Sequence, residues 1–252
     1  MSTTSAIAAV TPAPGPPEAP ILAVRNLEAW YGRGQVLFGV GLEIAPGEAV
    51  VLIGRNGAGK STTMRAIMRL VPRSAGEVLL DGVPVQRLPT HEIARAGIGY
   101  VPEERRIFTE LTVDENLEVG RLPAREGHAW TPAELFELFP NLGRMRNRRG
   151  GAMSGGEQQM LTIARSLMGN PRCLLLDEPS EGLAPVIIEG IAEAIAALKT
   201  RGVALLLSEQ NLHFARLIAS RVYVIERGEI RFSGTIAELD ANAAIRDQYL
   251  AV

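Results

Sequence analysis

The sequence is poor in the residues that cross-link chains or hold structural metal. Among 252 residues there is one cysteine, Cys173, which excludes an internal disulfide. The three histidines, His91, His128 and His213, are too scattered to form a metal-ligating group and read as structural or exposed. Lysine is almost missing: Lys60 and Lys199 are the only two among 26 cationic side chains, so the position of each is informative. Net charge is also small, at −2 from 26 cationic and 28 acidic groups, which leaves no global field to attract a polyanion. Nucleic acid is therefore not an expected partner. No apolar run approaches the ~20 residues a membrane-crossing helix needs. Residues 1–20 are proline-rich and carry no Lys or Arg, unlike a secretion signal, and are expected to be a disordered tail. These absences suggest a cytoplasmic protein.

What is present is a chain with 46% hydrophobic residues, enough for one sizeable core. Alternation and short apolar runs predict strands at 21–30, 49–53, 76–81, 98–101, 173–177, 203–207, 221–225 and 229–233. Helical spacing predicts helices at 60–71, 113–120, 132–139, 157–169, 185–200, 211–219 and 235–239. Three of these follow a Thr with Glu three positions on, at Thr112/Glu115, Thr131/Glu134 and Thr235/Glu238, the sequence mark of a capping box. The all-apolar runs Ala49–Ile53 and 173–176 suit strands covered on both faces, hence an α/β fold around a parallel sheet. The stretch 104–165 lacks strand patterns and reads as a helical insertion.

Directly after the first all-apolar run stands Gly54-Arg55-Asn56-Gly57-Ala58-Gly59-Lys60-Ser61-Thr62, followed by a helical pattern. A strand, a glycine-rich loop and a helix in that order form a phosphate cradle. Glycines let successive N–H groups turn inward, and the helix N-terminus adds the positive end of its dipole. Lys60 then supplies a compact charge between the β- and γ-phosphates, and the Ser61 hydroxyl can ligate Mg²⁺. The second run ends in Asp177-Glu178-Pro179, placing two acids at the carboxyl edge of the sheet, where open α/β folds bind ligands. Asp177 suits the metal through its water shell, and Glu178 suits the water that attacks the γ-phosphate.

A third segment, Met153-Ser154-Gly155-Gly156-Glu157-Gln158-Gln159, opens the helix at 157–169. Ser154 with Glu157 is a fourth capping box, but the box leaves two glycines unexplained. They bare N–H donors at a helix start, a second anion-reading surface. With this ordered trio the chain resembles the ATP-binding-cassette (ABC) ATPases over about 21–240. The resemblance implies a P-loop NTPase core with a parallel central sheet, an N-terminal antiparallel β portion and an inserted helical subdomain. The nucleotide-binding core would span 21–103 and 166–252, and the helical subdomain 104–165. It also implies ATP and Mg²⁺ as cofactors and a head-to-tail pair of cassettes, homo- or heterodimeric, in which Ser154, Gly155 and Gly156 reach the partner's γ-phosphate. Tyr31 would stack on adenine, with Trp30 as the alternative.

Some positions depart from the family's usual pattern. Glu103 follows Tyr100-Val101-Pro102 where Gln is usual, and it can still bind Mg²⁺ or the attacking water. Gln210 stands in place of the switch histidine. It can hydrogen-bond a γ-phosphate but cannot carry a proton, so activity should depend less on pH near neutrality. Ala184 replaces a customary Asp. These features, with Glu157-Gln158-Gln159-Met160-Leu161, look like the ATPase of branched-chain amino acid importers and their hydrophobic-amino-acid or amide relatives. Against that branch, Glu104 stands where glycine is expected and Glu181 where an apolar residue is expected. The resemblance implies transmembrane permease subunits docking on the helical subdomain, at residues 104–122, on the cytoplasmic face of the inner membrane. The clusters Arg105-Arg106 and Arg144–Arg149 read as solvated faces or as partner or lipid contacts. The rival classes are a soluble cassette ATPase acting on a macromolecule without transport, and a small-molecule kinase, which would not need Ser154-Gly155-Gly156. A GTPase would need an Asn-Lys-x-Asp reader, which neither lysine provides.

Overall fold

The computed structural model describes residues 19–123 and 129–247. Nearly all of the expected tail, and His128, lie outside the described residues. The strands are β1 (Leu22–Tyr31), β2 (Gly34–Ile44), β3 (Ala49–Ile53), β4 (Arg73–Leu80), β5 (Val83–Pro84), β6 (Ile98–Val101), β7 (Cys173–Asp177), β8 (Ala204–Glu209), β9 (Arg221–Glu226) and β10 (Glu229–Gly234). The helices are α1 (Lys60–Ile67), α2 (Thr90–Ala96), α3 (Val113–Val119), α4 (Pro132–Leu138), α5 (Pro140–Gly143), α6 (Gly155–Leu167), α7 (Pro185–Thr200), α8 (Leu212–Ile218), α9 (Ile236–Ala241) and α10 (Ala243–Ile245).

The central sheet runs β10-β9-β3-β8-β7-β6. All its pairs are parallel except the edge hairpin β9–β10, which turns at Arg227-Gly228. A second sheet, β2-β1-β4-β5, is antiparallel. Alternation along each buried strand divides the core in two. Ala49, Val51, Ile53, Leu174, Leu176, Leu205 and Leu207 face α6, α7 and α8. Val50, Leu52, Cys173, Leu175, Ala204 and Leu206 face α1 and the antiparallel sheet. Each fully covered Leu or Ile contributes roughly 1.5–3 kcal/mol, so both sides of the site's scaffold are firmly held.

Between β6 and β7 the described residues hold helices and one isolated bridge, Thr112 to Arg149, but no named strand. All four expected capping boxes form, at Thr112, Thr131, Ser154 and Thr235. The structure differs from the sequence expectation in adding β2, β5, α2, α5 and α10 and in ending the first helix at Ile67.

Candidate active site

The three motifs converge unequally. At the carboxyl edge of β3 the loop 54–59 turns into α1, with Gly59 as its N-cap at φ +113°, a conformation costly for any side chain. Lys60 is buried and spends its three donors within the chain. Its Nζ donates to the Gly54 carbonyl at 2.9 Å and the Arg55 carbonyl at 3.2 Å, and pairs with Glu178 Oε1 at 3.1 Å. The other Glu178 oxygen accepts from Gln210 Nε2 at 3.0 Å. Burial pulls the Glu178 carboxyl up, but the Gln210 hydrogen bond, Lys60 and a hydrogen bond to Glu181 together hold it below the usual carboxylate range. Glu178 also has φ +47°.

Asp177 is fully buried at the end of β7. Its Oδ1 accepts from Ser61 Oγ at 2.9 Å and from Ser208 Oγ at 2.6 Å, and its Oδ2 from Tyr100 OH at 3.1 Å. A cavity of about 410 Å³ opens beside this network, lined by Val36, Asn56, Gly57, Gly59, Lys60, Ser61, Thr62, Glu103, Glu178 and Glu181. Glu103 is raised above its ordinary range by partial burial, then by the charges of Glu178 and Asp177. One cavity therefore carries a buried ammonium, backbone donors and several carboxylates. That arrangement can hold an anion and position a water against it.

Of the residues singled out in the sequence, Tyr31 does not line the cavity. It stands at the end of β1, 42% exposed. The alternative, Trp30, carries the Arg73 guanidinium over its ring, with the guanidinium carbon 4.4 Å from the ring centroid. Ser154, Gly155 and Gly156 also lie outside the cavity. Ser154 is exposed at the start of α6. Gly156 has a packing reason inside this chain, since a Cβ there would meet Ile187 Cγ1 at 2.9 Å, whereas a Cβ on Gly155 would meet only the flexible end of Arg105, with Nη1 at 2.5 Å.

Sequence reasoning missed Tyr100 and Ser208, which hold Asp177, and Val36 and Glu181 in the cavity wall. Only Glu181 left a signal, as an acid three positions after Glu178. Glu209 was missed too. It is buried at the end of β8 and accepts from Ser180 N at 3.2 Å and Ser180 Oγ at 2.9 Å, and burial pushes its carboxyl up to about 7. Cys173 is buried on β7 and pushed up to about 12, which fits a core residue with no thiolate chemistry.

A second cavity, about 350 Å³, lies between the sheet edge and the helices that precede β7, lined among others by Tyr100, Phe108, Val119, Leu122 and Arg165. Phe108 and Val119 are exposed there. Among the described residues no helix is long and apolar enough to cross a membrane, and no group of three or more His, Cys, Asp or Glu could hold a metal.

The profile of the ABC transporter family matches residues 37–181. The chain is 43% identical to the high-affinity branched-chain amino acid transport ATP-binding protein BraG of Pseudomonas aeruginosa, over 91% of this chain and 99% of the relative. It is 36% identical to the lipopolysaccharide export system ATP-binding protein LptB of Haemophilus influenzae, over 91% and 97%. Among solved structures it superposes on the dimeric post-hydrolysis state of the ATP-binding cassette MJ0796 bound to ADP and Pi. That match has a TM-score of 0.75 and 26% identity over 85% of this chain and 98% of the other. A phosphate cradle, a carboxylate pair at the sheet edge and relatives matched along nearly their whole length agree: the chain belongs to the ABC transporter family and is one of its ATP-hydrolysing, nucleotide-binding subunits.

Proposed function

We propose that the chain powers an ABC importer for branched-chain or other hydrophobic amino acids, or related small solutes, working on the cytoplasmic face of the inner membrane. The observation that carries this reading is the 43% identity to BraG across 99% of that protein's length. In this reading ATP lies with its phosphates in the 410 Å³ cavity, held by the loop from Gly54 to Thr62, and with adenine on Tyr31.

Ser61 and Asp177, already bonded to each other, with Glu103 across the cavity, form a hard-oxygen set that fits Mg²⁺. Having few protein ligands suits an ion that keeps waters and phosphate oxygens. When bound, Mg²⁺ supplies charge neutralisation at the β- and γ-phosphates. Glu178 accepts the proton of the attacking water, oriented by Gln210. The γ-phosphate meets a second copy or sister subunit through Ser154, Gly155 and Gly156 of that chain, because in one chain these residues do not line the cavity. The MJ0796 cassette, a dimer in its structure, supports that pairing.

The helical segment 104–165 then serves as the permease-facing unit. The 350 Å³ groove with exposed Phe108 and Val119 is the surface that receives a membrane subunit's helix. LptB's 36% identity supports a second reading, the motor of an envelope export system. A deletion strain complemented by this chain separates the two. Uptake of labelled leucine, isoleucine and valine should return with the parent chain and not with Glu178→Gln. Unchanged uptake in the deletion strain, with copurification of an export permease, would overturn the importer reading.

A further inference from the structure

Arg105 and Arg106 both have left-handed backbones, at φ +61° and +49°. Such a pair persists only where contacts hold it. Here α6 does so: Arg165 Nη2 donates to the Arg106 carbonyl at 2.7 Å, and the one Thr162 hydroxyl proton is shared between the Arg105 carbonyl at 2.9 Å and the Gln158 carbonyl at 2.8 Å. The strapped loop lays the Arg105 side chain on the start of α6. The site of a Cβ on Gly155 is 2.5 Å from Arg105 Nη1, 3.3 Å from Cζ and 3.4 Å from Nη2, so the guanidinium rests against the bare glycine backbone.

Three nearby arginines each have an acid. Arg106 pairs with Glu104 at 3.7 Å, Arg146 with Asp114 at 2.9 Å and Arg149 with Glu110 at 3.6 Å. The Arg105 guanidinium has no ion pair or hydrogen bond among the described residues. A cation pressed against the positive end of a 13-residue helix is electrostatically misplaced on its own. An anion bound alongside the two would satisfy both.

Resting on the shared-site reading above, we propose that Arg105 is a further nucleotide-binding residue, whose guanidinium donates to the γ-phosphate held by the partner subunit's phosphate loop. A planar fork of donors suits phosphate oxygens better than a point charge does. The loop also links nucleotide to groove. Phe108 follows three residues on, and Arg165, which pins the loop, lies 5.1 Å from the Phe108 ring. Filling the partner's site therefore acts on the same short segment that lines the 350 Å³ groove.

The test uses the full chain carrying Glu178→Gln, which halts turnover, and follows ATP-driven dimerisation by sedimentation. Arg105→Met keeps bulk and removes charge, and it should raise the ATP concentration for half-dimerisation by about tenfold or more. Arg105→Lys should recover part of that loss, and added salt should shrink the gap between Met and parent. Nucleotide binding to dilute monomers should stay at the parent value, because Arg105 does not line its own chain's cavity. If Arg105→Met dimerises at the parent's ATP concentration while Ser154→Arg cannot dimerise, the proposal is overturned and the shared site stands. Arg105→Lys no better than Arg105→Met, with a gap to the parent that added salt leaves unchanged, would also overturn it, since charge would then not be the requirement. If Ser154→Arg dimerises as the parent does, the shared-site reading itself fails.

Discussion

Lys60 and Glu178 neutralise each other across 3.1 Å before any nucleotide arrives, and the other two Lys60 donors go to backbone carbonyls. In the proposed function an incoming triphosphate takes Lys60 over and frees Glu178 to face the water. Glu178→Gln removes the proposed base and also the charge competing for Lys60. It should lower turnover at least ~100-fold, with nucleotide affinity kept or tightened, as read by steady-state hydrolysis beside equilibrium binding of a fluorescent nucleotide. Glu209 is the second telling residue. Its folded-state value, about 7, is raised from an ordinary 4.5 by burial. The folded state therefore holds a proton that the unfolded chain has lost between those values. The cost is absent below about pH 4.5, grows as pH rises and is complete above about pH 7, on the order of 3 kcal/mol. Melting temperatures across pH 5–8 should fall for the parent chain and stay flatter for Glu209→Gln. Gln210 itself has no proton to lose, so kcat should change little with pH near neutrality, where a histidine would titrate.

At the level of the element, α6 shows why Gly156 stands at its start. Gly156 gives room to Ile187 of α7, which is a packing requirement, whereas Gly155 faces only the flexible end of the Arg105 side chain, which can move aside. Gly156→Ala should cost about 1–3 kcal/mol, and Ile187→Ala should relieve part of it. A double-mutant cycle in denaturant that shows strict additivity would contradict this contact.

The start of α6 was also the most readable element, because Ser154 and Glu157 form the box their spacing announces. Strand β2 was not readable. Its buried positions step by three from Leu37 to Val40 before alternating at Leu42 and Ile44, and register shifts in its pairing with β1 account for the break. Helix α2 was hidden because Pro89 provides no side-chain cap and only Ile93 is buried. In the site, contiguous motifs exposed Lys60, Ser61, Asp177 and Glu178. Tyr100 and Ser208 reach Asp177 from 77 and 31 positions away, and only the parallel order β6-β7-β8 brings them together.

On the scale of the whole molecule, the carboxyl edge of the sheet presents a phosphate cavity that Ser154, though exposed, does not line. That separation is the structural reason to expect two chains per active nucleotide. Ser154→Arg should bind nucleotide as the parent does and turn over at least ~100-fold more slowly, because in the proposed pairing the damage falls on a neighbour's site. The most direct measurement follows turnover per chain against chain concentration, with mass determined in the same samples. We predict that turnover per chain falls toward zero as the population becomes monomeric, and rises with the dimer fraction. Constant turnover per chain in samples that contain only monomer would contradict the account.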